Sequence, residues 1–337
     1  MKRGIKYLLL LFIALSCTLS SCHKKKDTLK NYMSGTLDAY IPLYSLVDRS
    51  YQVTTGGITN PTSGVSYQWI TSYNKDTVKL SDGDPFTIFL PDSVGTFTIT
   101  QIAMADGYYN TIQNLTVNTF TRYNSLKRYV APTDSIQDPR DQQFYHIEKI
   151  GNLEWFTKNL NYTQNGEGYA KSDDIGFLFG RLYTWEEATG GISGSGLASG
   201  PQGICPDGWH IPTNEDWEDL AMALKGESMP FIDNWKGVGE LLIPDTLTFN
   251  GNRVWPYSAN VNRKNDAKWN AMPGGYSVNS HNNFTDIFVS AYFWSATEKD
   301  GDNAYFRYLH YDIGDFPFNY TTKNGLGASV RCVRKFN

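Results

Sequence analysis

Cysteine and charge are both scarce in this chain. Its 337 residues include four cysteines, and only 19% of them are charged, with a formal net charge of −4. No basic stripe follows Lys26, so nucleic acid is a poor candidate partner for this mildly acidic chain. The low charge and an aromatic content of 15% are typical of a rigid extracytoplasmic protein with broad apolar and aromatic surfaces.

Motifs that identify an enzyme are also missing. His146, His281 and His310 are scattered without the spacing of a metal-binding helix, and no glycine-rich phosphate loop follows a strand. His210 is interpreted as a hydrogen-bonded structural histidine. The sequence therefore predicts a protein that is not an enzyme. The alternative of a hydrolase with two catalytic carboxylates stays open, because the distance between two carboxylates is not visible in a sequence.

The N-terminal segment predicts the location of the protein. A basic start precedes the apolar run 8–15, which is too short to span a bilayer and is typical of a secretory signal. Residues 19–22, Leu-Ser-Ser-Cys, resemble the lipobox of bacterial lipoproteins. This resemblance implies removal of a signal peptide, 1–21, lipidation of Cys22 and membrane attachment as an outer membrane lipoprotein, periplasmic or surface-exposed. The alternative is an ordinary signal peptide with an incidental cysteine. Residues 22–32 are expected to form a tether.

Two cysteines remain for the mature chain, because Cys17 leaves with the signal and Cys22 is lipidated. The two that remain are Cys205 and Cys332. An even number of cysteines in an oxidising compartment predicts a disulfide between them. The bond would span 127 positions. On chain-entropy grounds it would stabilise the fold by about 4 to 5 kcal/mol at most.

Residues 33–120 predict an all-β sandwich. Short runs of alternating apolar and polar residues are separated by turn residues, and no window of useful length has helical periodicity. The runs lie at 66–70, 86–90, 96–100 and 114–117. Their order resembles a PKD-type or bacterial Ig-like domain, in which Trp69 would be the buried core tryptophan. Residues 121–137 are expected to be a polar linker.

Residues 138–337 have a different composition and contain eight of the nine tryptophans. Thr184, with Glu187 three positions later, predicts the capping box of one helix. Thr213 predicts the cap of a second helix, in which Trp217 and Leu220 lie on one apolar face.

The motifs of this second part occur in a specific series. They are DPRDQQFY, IGNLEWFTKNLNY, GRLYTWEEA, CPDGWHIPTNEDW, MPGGY, FWSATEKDGDNAYFRYL and SVRCVR. Together they closely resemble the Fibrobacter succinogenes major paralogous domain family, found in surface lipoproteins of Bacteroidota. The resemblance implies an α+β C-type lectin-like domain with two helices, a small antiparallel sheet and long loops. Its last strand would be tied back by Cys205–Cys332. No catalytic residues carry over from this family.

Aromatic residues in glycine- and asparagine-rich loops are the candidate ligand contacts, because flat rings beside amide groups suit sugar faces and protein interfaces. The rings in such loops are Tyr162, Tyr169, Trp235, Trp255, Tyr257, Trp269 and Tyr276. The five from Trp235 to Tyr276 are predicted to bind ligand. The alternative is that the rings fill the core of a domain poor in regular structure.

A weak calcium candidate lies at Asp300, Asp302 and Asn303, which supply hard oxygen ligands. The same residues are also typical of a turn between two strands, and we favour the turn. No other metal and no cofactor are expected.

The sequence therefore predicts a lipid-anchored, non-enzymatic binding or adhesion protein of the cell envelope. The lipid would anchor the protein to the membrane, and its ligand would be a glycan or a cell-surface protein. One alternative is a structural or tip subunit of a surface or fimbrial assembly. The other alternative is a cryptic glycan hydrolase.

Overall fold

The computed structural model describes residues 29–53, 56–74, 76–82, 86–90, 92–121, 126–127 and 134–336. The predicted signal peptide and Cys22 lie outside these residues. The strands up to residue 120 are β1 (Ser34–Gly35), β2 (Tyr44–Leu46), β3 (Ser50–Val53), β4 (Ile58–Asn60), β5 (Ser66–Tyr73), β6 (Asp76–Asp82), β7 (Phe86–Phe89), β8 (Gly95–Met104) and β9 (Thr111–Phe120).

This first part of the chain is built of β-sheet. Its main sheet has the strand order β2-β9-β8-β5-β6, and β3 pairs with β7 in a separate ladder. Along β8, buried and partly buried side chains alternate, as expected when one face of a strand covers a core. Val53 and Ile88 of the small ladder share that core with Trp69, which is 2% exposed. The strand pattern and the buried Trp69 predicted from the sequence are confirmed.

The second part, from residue 126 onward, mixes many strands with short helices. Its strands are β10 (Leu126–Lys127), β11 (Asp134–Gln137), β12 (Phe144–Ile150), β13 (Leu153–Phe156), β14 (Glu167–Gly168), β15 (Arg181–Leu182), β16 (Thr248–Phe249), β17 (Asn252–Arg253), β18 (Gly274–Val278), β19 (Asn283–Ile287), β20 (Ser290–Glu298), β21 (Asn303–His310), β22 (Phe318–Thr322), β23 (Leu326–Gly327) and β24 (Val333–Lys335). Its helices are α1 (Asp173–Phe179), α2 (Trp185–Thr189), α3 (Asn214–Lys225) and α4 (Val238–Leu242), with a 3₁₀ turn at Tyr169–Lys171.

Two sheets form the frame of the second part. One has the order β11-β12-β13-β24 and pairs Trp155 with Val333, near opposite ends of this part. The other has the order β19-β18-β20-β21-β22, with β23 also pairing with β18. Residues within the predicted linker take part in pairing, because β10 pairs with β16 and β11 pairs with β12.

The predicted fold class, an Ig-like sandwich followed by an α+β C-type lectin-like domain with two helices, is wrong. Strands account for 40% of the residues and helices for 11%, so the molecule is predominantly β. The described residues form four α-helices, and three of them have seven residues or fewer. Helices as short as α1 and α4 show no periodicity in a sequence, and the strand pairs join distant segments that no local pattern connects.

The two helices predicted from their caps are present. Thr184 Oγ1 accepts a hydrogen bond from Glu187 N, and the Glu187 side chain accepts one from Thr184 N. Thr213 starts α3 in the same way, with Asp216 in the reciprocal position. At 12 residues α3 is the longest helix, and no helix of the described residues is long and apolar enough to cross a bilayer.

Cys205 and Cys332 form the predicted disulfide, and their Cα atoms are 5.8 Å apart. Both cysteines are fully buried in a cluster that includes Trp209. Arg140 fixes the loop on one side of the bond by donating to the carbonyl oxygens of Ile204 and Cys205, at 3.0 and 3.2 Å. The disulfide therefore ties the segment before β24 to the long connection between α2 and α3.

Arg331, next to the disulfide, is 1% exposed and bonds three segments together. Its guanidinium donates to Asn159 Oδ1 and to the backbone carbonyls of Phe156, Trp269 and Asn270, at 2.7 to 3.0 Å. Buried carbonyl groups that find no partner in a helix or ladder need another donor, and arginine carries five N–H groups. The Arg331 side chain therefore supplies hydrogen bonds that a helix or a sheet would otherwise supply at this place.

Two further buried arginines act in the same way. Arg263 donates to the carbonyls of Trp255, Pro256 and Tyr311, at 2.6 to 3.2 Å. Arg307 donates to the carbonyls of Phe231 and Phe316, and its guanidinium lies 3.0 Å from the centroid of the Trp235 ring. Burial lowers the pKa of both Arg263 and Arg307.

The first and second parts pack directly on each other. Phe249 of the hairpin β16–β17 places its ring centroid 5.5 Å from that of Phe120. At the start of α1, Ser172 Oγ donates to the carbonyl of Tyr44 at 2.9 Å, and Asp174 accepts from a backbone N–H of β2 at 3.2 Å. Apolar and polar contacts together fix one part against the other.

We expect replacement of Arg331 to destabilise the protein strongly. Arg331→Met leaves four buried acceptors without their donor, and breaking a buried charged network costs about 3 to 5 kcal/mol. Urea unfolding followed by tryptophan fluorescence measures the loss.

Arg334→Met is the matched control for that variant. Arg334 pairs with Glu154 and its side chain is 39% exposed, so its loss should cost about 1 kcal/mol or less. Equal costs for the two variants would contradict a special role for Arg331.

Candidate functional site

The structure corrects the prediction that the loop tryptophans are exposed. Trp235, Trp255 and Trp269 are each at most 1% exposed, so their rings are not a surface for stacking. Tyr257 is 71% exposed, while Tyr276 is partly buried with its ring centroid 4.7 Å from that of Tyr292. Only Tyr257 among the five predicted rings is freely accessible.

The buried rings fill the core between irregular loops, as the alternative interpretation expects. The indole N–H of Trp235 donates to Pro230 O, and that of Trp255 donates to Ala271 O, each at 2.9 Å. Trp269 packs edge-on against neighbouring aromatic rings of the core. Tyr169 is also buried, and the Tyr162 ring lies under the Arg140 guanidinium at 4.0 Å.

A hairpin in the predicted binding region forms the edge of an open cleft. Asn250 and Gly251 connect β16 to β17 with positive φ angles of 48° and 81°. Both central residues of a type I′ turn need positive φ, and Asn-Gly is the preferred pair for it. Asn250 Nδ2 donates across the boundary to Thr119 O at 3.3 Å. The turn therefore bridges the second part to β9 of the first.

The cleft between the two parts has a volume of about 370 Å³. It is lined by Tyr44, Val94, Gly95, Thr96 and Asn118 from the first part and by Phe249, Asn250, Asn252, Arg253 and Phe288 from the second. Burial raises the pKa of Tyr44 to about 12, so its hydroxyl stays protonated at neutral pH.

Arg253 brings a charge to the lining of this cleft and lies near an exposed ring outside the lining. Arg253 pairs with Asp245 at 2.6 Å, and about half of each side chain is exposed, at 45%. The Arg253 guanidinium also lies 5.9 Å from the centroid of the exposed Tyr257 ring. The described lining thus combines side-chain amides and one cation with the rings of Tyr44, Phe249 and Phe288, and it includes no carboxylate.

The weak calcium candidate lies in the turn between β20 and β21. Asp300 Oδ1 accepts from Asp302 N, Asn303 N and Asn303 Nδ2, at 2.7 to 3.1 Å. The Asn303 side-chain bond is the main reason why the pKa of Asp300 is lowered. The carboxylate therefore organises the turn, and calcium binding here stays a prediction. No group of three or more His, Cys, Asp or Glu residues in the described ranges could hold a metal ion.

A hydroxyl, an imidazole and a carboxylate line up elsewhere in the second part. Ser277 Oγ lies 2.7 Å from His281 Nδ1, and His281 Nε2 lies 2.9 Å from Glu187 Oε2. Ser277 is fully buried, and a Cβ added at Gly327 would lie 2.1 Å from its hydroxyl. The oxygen is enclosed by neighbouring atoms, and the chain of bonds joins β18 to α2.

The same bonds hold the turn between β18 and β19. Asn279, Ser280 and His281 have φ angles of 54°, 50° and 61°, in the left-handed region. Each such non-glycine residue costs about 1 kcal/mol or more and needs support from its surroundings. The bond from His281 to the α2 capping residue Glu187 supplies that support. Sequence reasoning treated His281 as an isolated residue, because its partner lies 94 positions away.

His210, at the start of α3, also has a structural partner. Its Nε2 lies 3.1 Å from Asp216 Oδ2, which accepts from Thr213 N at 2.8 Å as well. The interpretation of His210 as a hydrogen-bonded structural histidine agrees with this geometry.

These features define a class of predominantly β, disulfide-linked protein whose loops are fixed by buried arginines. The family model of the Fibrobacter succinogenes major domain matches residues 149–334, more than half of the chain. The chain belongs to this family, which confirms the resemblance predicted from the sequence. The match includes both cysteines, the three arginines and the hairpin of the cleft. Neither the curated proteins nor the solved structures contain a match.

We expect acid to weaken the fold through Glu187. Burial raises the pKa of its carboxyl, but the hydrogen bonds from His281 and Thr184 outweigh burial and hold the pKa below its ordinary value of 4.5. A lowered carboxyl pKa stabilises the fold at higher pH, and this stabilisation is lost as pH falls from about 4.5 through the folded-state value. Urea midpoints at about pH 6, 4.5 and 3.5 measure it.

Glu187→Gln should flatten that pH dependence, because the amide does not titrate. Glu186→Gln is the control, since Glu186 sits beside it in α2 and bonds the exposed Asn324 at 2.8 Å. A Glu187→Gln variant with the full acid sensitivity of the unaltered chain would contradict this role of Glu187.

Proposed function

We propose that this protein is a non-enzymatic binding protein of the cell envelope, held at the outer membrane by a lipid on Cys22. Its ligand, a glycan or a cell-surface protein, binds in the cleft between the two parts of the chain, called the interdomain cleft from here on. The observation that carries the proposal is a cleft lined by Asn250, Asn252 and Arg253, whose guanidinium lies 5.9 Å from the ring of the exposed Tyr257.

The chemistry of the cleft suits a hydroxylated or amide-rich ligand. Asparagine side chains both donate and accept hydrogen bonds, and the arginine adds five donors. An exposed tyrosine offers a flat ring at a low cost in side-chain entropy, which is why such rings are common in binding surfaces. Contacts such as the 5.5 Å packing of Phe249 on Phe120 hold the cleft in shape before a ligand arrives, and preorganisation favours binding.

The positions of the carboxylates support a role without catalysis. A groove near α3 is lined by Glu215, Asp216 and Asp219, all from one helix. Asp216 is used by the cap of α3, and Asp219 accepts from Asn152 N and Nδ2 at 2.9 and 2.7 Å. Two of the three carboxylates are thus committed to structural hydrogen bonds.

Binding is tested with a glycan array and with pulldown from envelope extracts of the native host. Tyr257→Ala or Arg253→Ala should weaken capture by about tenfold, the loss of about 1.4 kcal/mol that a central contact residue contributes. Tyr320→Ala is the matched control, because Tyr320 is an exposed tyrosine with Lys299 Nζ 3.9 Å from its ring centroid.

Three outcomes would contradict the proposal. They are the absence of any ligand, equal loss in the Tyr320 control, and release of sugar products from a bound glycan.

The lipid anchor has a separate test. Cys22→Ser removes the only thiol that the lipobox resemblance assigns to acylation, so the protein should move from the membrane to the soluble fraction and lose its acyl mass. Cys17→Ser is the control, because it lies within the predicted signal. A Cys22→Ser protein that stays in the membrane fraction would rule out this anchor.

A further inference from the structure

A second pocket, separate from the interdomain cleft, lies inside the second part. Its volume is about 390 Å³, and it is bounded by the start of β12, the segment after β13 and helix α1. Its walls include Phe144, His146, Lys158 and Phe177. Phe144 is 61% exposed and stands at the rim, so the pocket is open to solvent on that side.

Lys158 brings a positive charge into this pocket, and no aspartate or glutamate is among the described residues that line it. Among the described residues its ammonium forms no ion pair, and it lies 5.3 Å from the centroid of the Phe177 ring. Burial lowers the pKa of Lys158, and burial together with the charge of Lys158 lowers the pKa of His146.

Asp141 precedes the wall formed by residues 142–146, and its carboxylate accepts hydrogen bonds within its own turn. Asp141 accepts from Gln143 N at 3.0 Å and from Gln143 Nε2 at 2.7 Å. Gln143 and Asn161 are in turn joined by two bonds of 3.0 Å each. The wall is therefore rigid, and Asp141 is held in its own turn. A charge removed from water without a partner is costly, so a counter-charge from a ligand would be favourable.

We propose that the Lys158 pocket binds the carboxylate of a ring-bearing ligand. The ammonium of Lys158 pairs with the carboxylate, and the rings of Phe144 and Phe177 take the flat apolar face of the ring. Two sources share this chemistry, a sugar acid of the uronic type and an aromatic acid.

The binding test uses the full mature chain and amide chemical shifts. The protein is titrated separately with D-glucuronate, benzoate and D-glucose. Glucose is the control, because it is the uncharged analogue of glucuronate. We expect shifts at Phe144 and His146 with an acid and none with glucose at the same concentration. Tighter binding of glucuronate assigns the sugar acid, and tighter binding of benzoate assigns the aromatic acid. No shift with either acid, or equal shifts with glucose, overturns the proposal.

Variants test the role of the lysine itself. Lys158→Met should weaken acid binding by about tenfold or more, while Lys158→Arg keeps most of it because the charge remains. Lys149→Met is the control, since Lys149 lies on β12 and its ammonium is 3.0 Å from the centroid of the Phe336 ring, outside the lining of the pocket.

Thermal unfolding separates lost binding from lost folding. Lys158→Met should melt at the same temperature as the unaltered chain or higher, because it removes a buried charge that forms no ion pair with the described residues. A clear fall in its melting temperature would mean that Lys158 stabilises the fold, and acid binding that survives Lys158→Met would exclude the proposed contact. Either result overturns the proposal.

Discussion

Buried guanidinium groups that donate to loop carbonyls are the interaction on which the second part of this protein depends. Long segments there form neither helix nor ladder, so their buried carbonyl groups lack the usual partners. Arg331 serves the loop carbonyls of Trp269 and Asn270, and it also donates to Phe156 O and Asn159 Oδ1. Arg263 serves three more carbonyls. The disulfide from Cys205 to Cys332 holds the chain beside Arg331 in place. These bonds give the loops the hydrogen-bond partners that ladders give the sheets around them.

This constraint explains why the tryptophans lie inside and where binding surface remains. Rings such as Trp235 and Trp269 pack on the guanidinium groups of Arg307 and Arg331, at 3.0 and 4.1 Å, and cannot also face a ligand. The accessible surfaces that remain include the amide-lined cleft between the two parts, with Tyr257 near its Arg253, and the Lys158 pocket. Both have walls made of segments tied down by hydrogen bonds, so a ligand would meet a surface that is already ordered.

Local signals in the sequence were sufficient for the parts that local chemistry determines. The capping threonines at 184 and 213 and the alternation around Trp69 correctly predict helices and strands, and the two remaining cysteines predict their bond. The Asn250-Gly251 pair could have predicted the hairpin of the cleft, since this dipeptide favours one turn type. The burial of Trp235 and the bonds of Arg331 depend on residues far away in the chain. No pattern in a single sequence indicates such long-range contacts. The fold class inferred from the family resemblance did not predict them either.

Residue-resolved hydrogen exchange of the unaltered protein tests the central claim most directly, because it reports how firmly each loop is held. The amides of Lys264 and Ala271 lie in the loops bonded by Arg263 and Arg331, and each donates to a carbonyl near α4 at 2.8 and 2.9 Å. If the arginines fix these loops, both amides exchange as slowly as those of β20 and β21. Exchange at the rate of the exposed segment 195–199 would contradict the account.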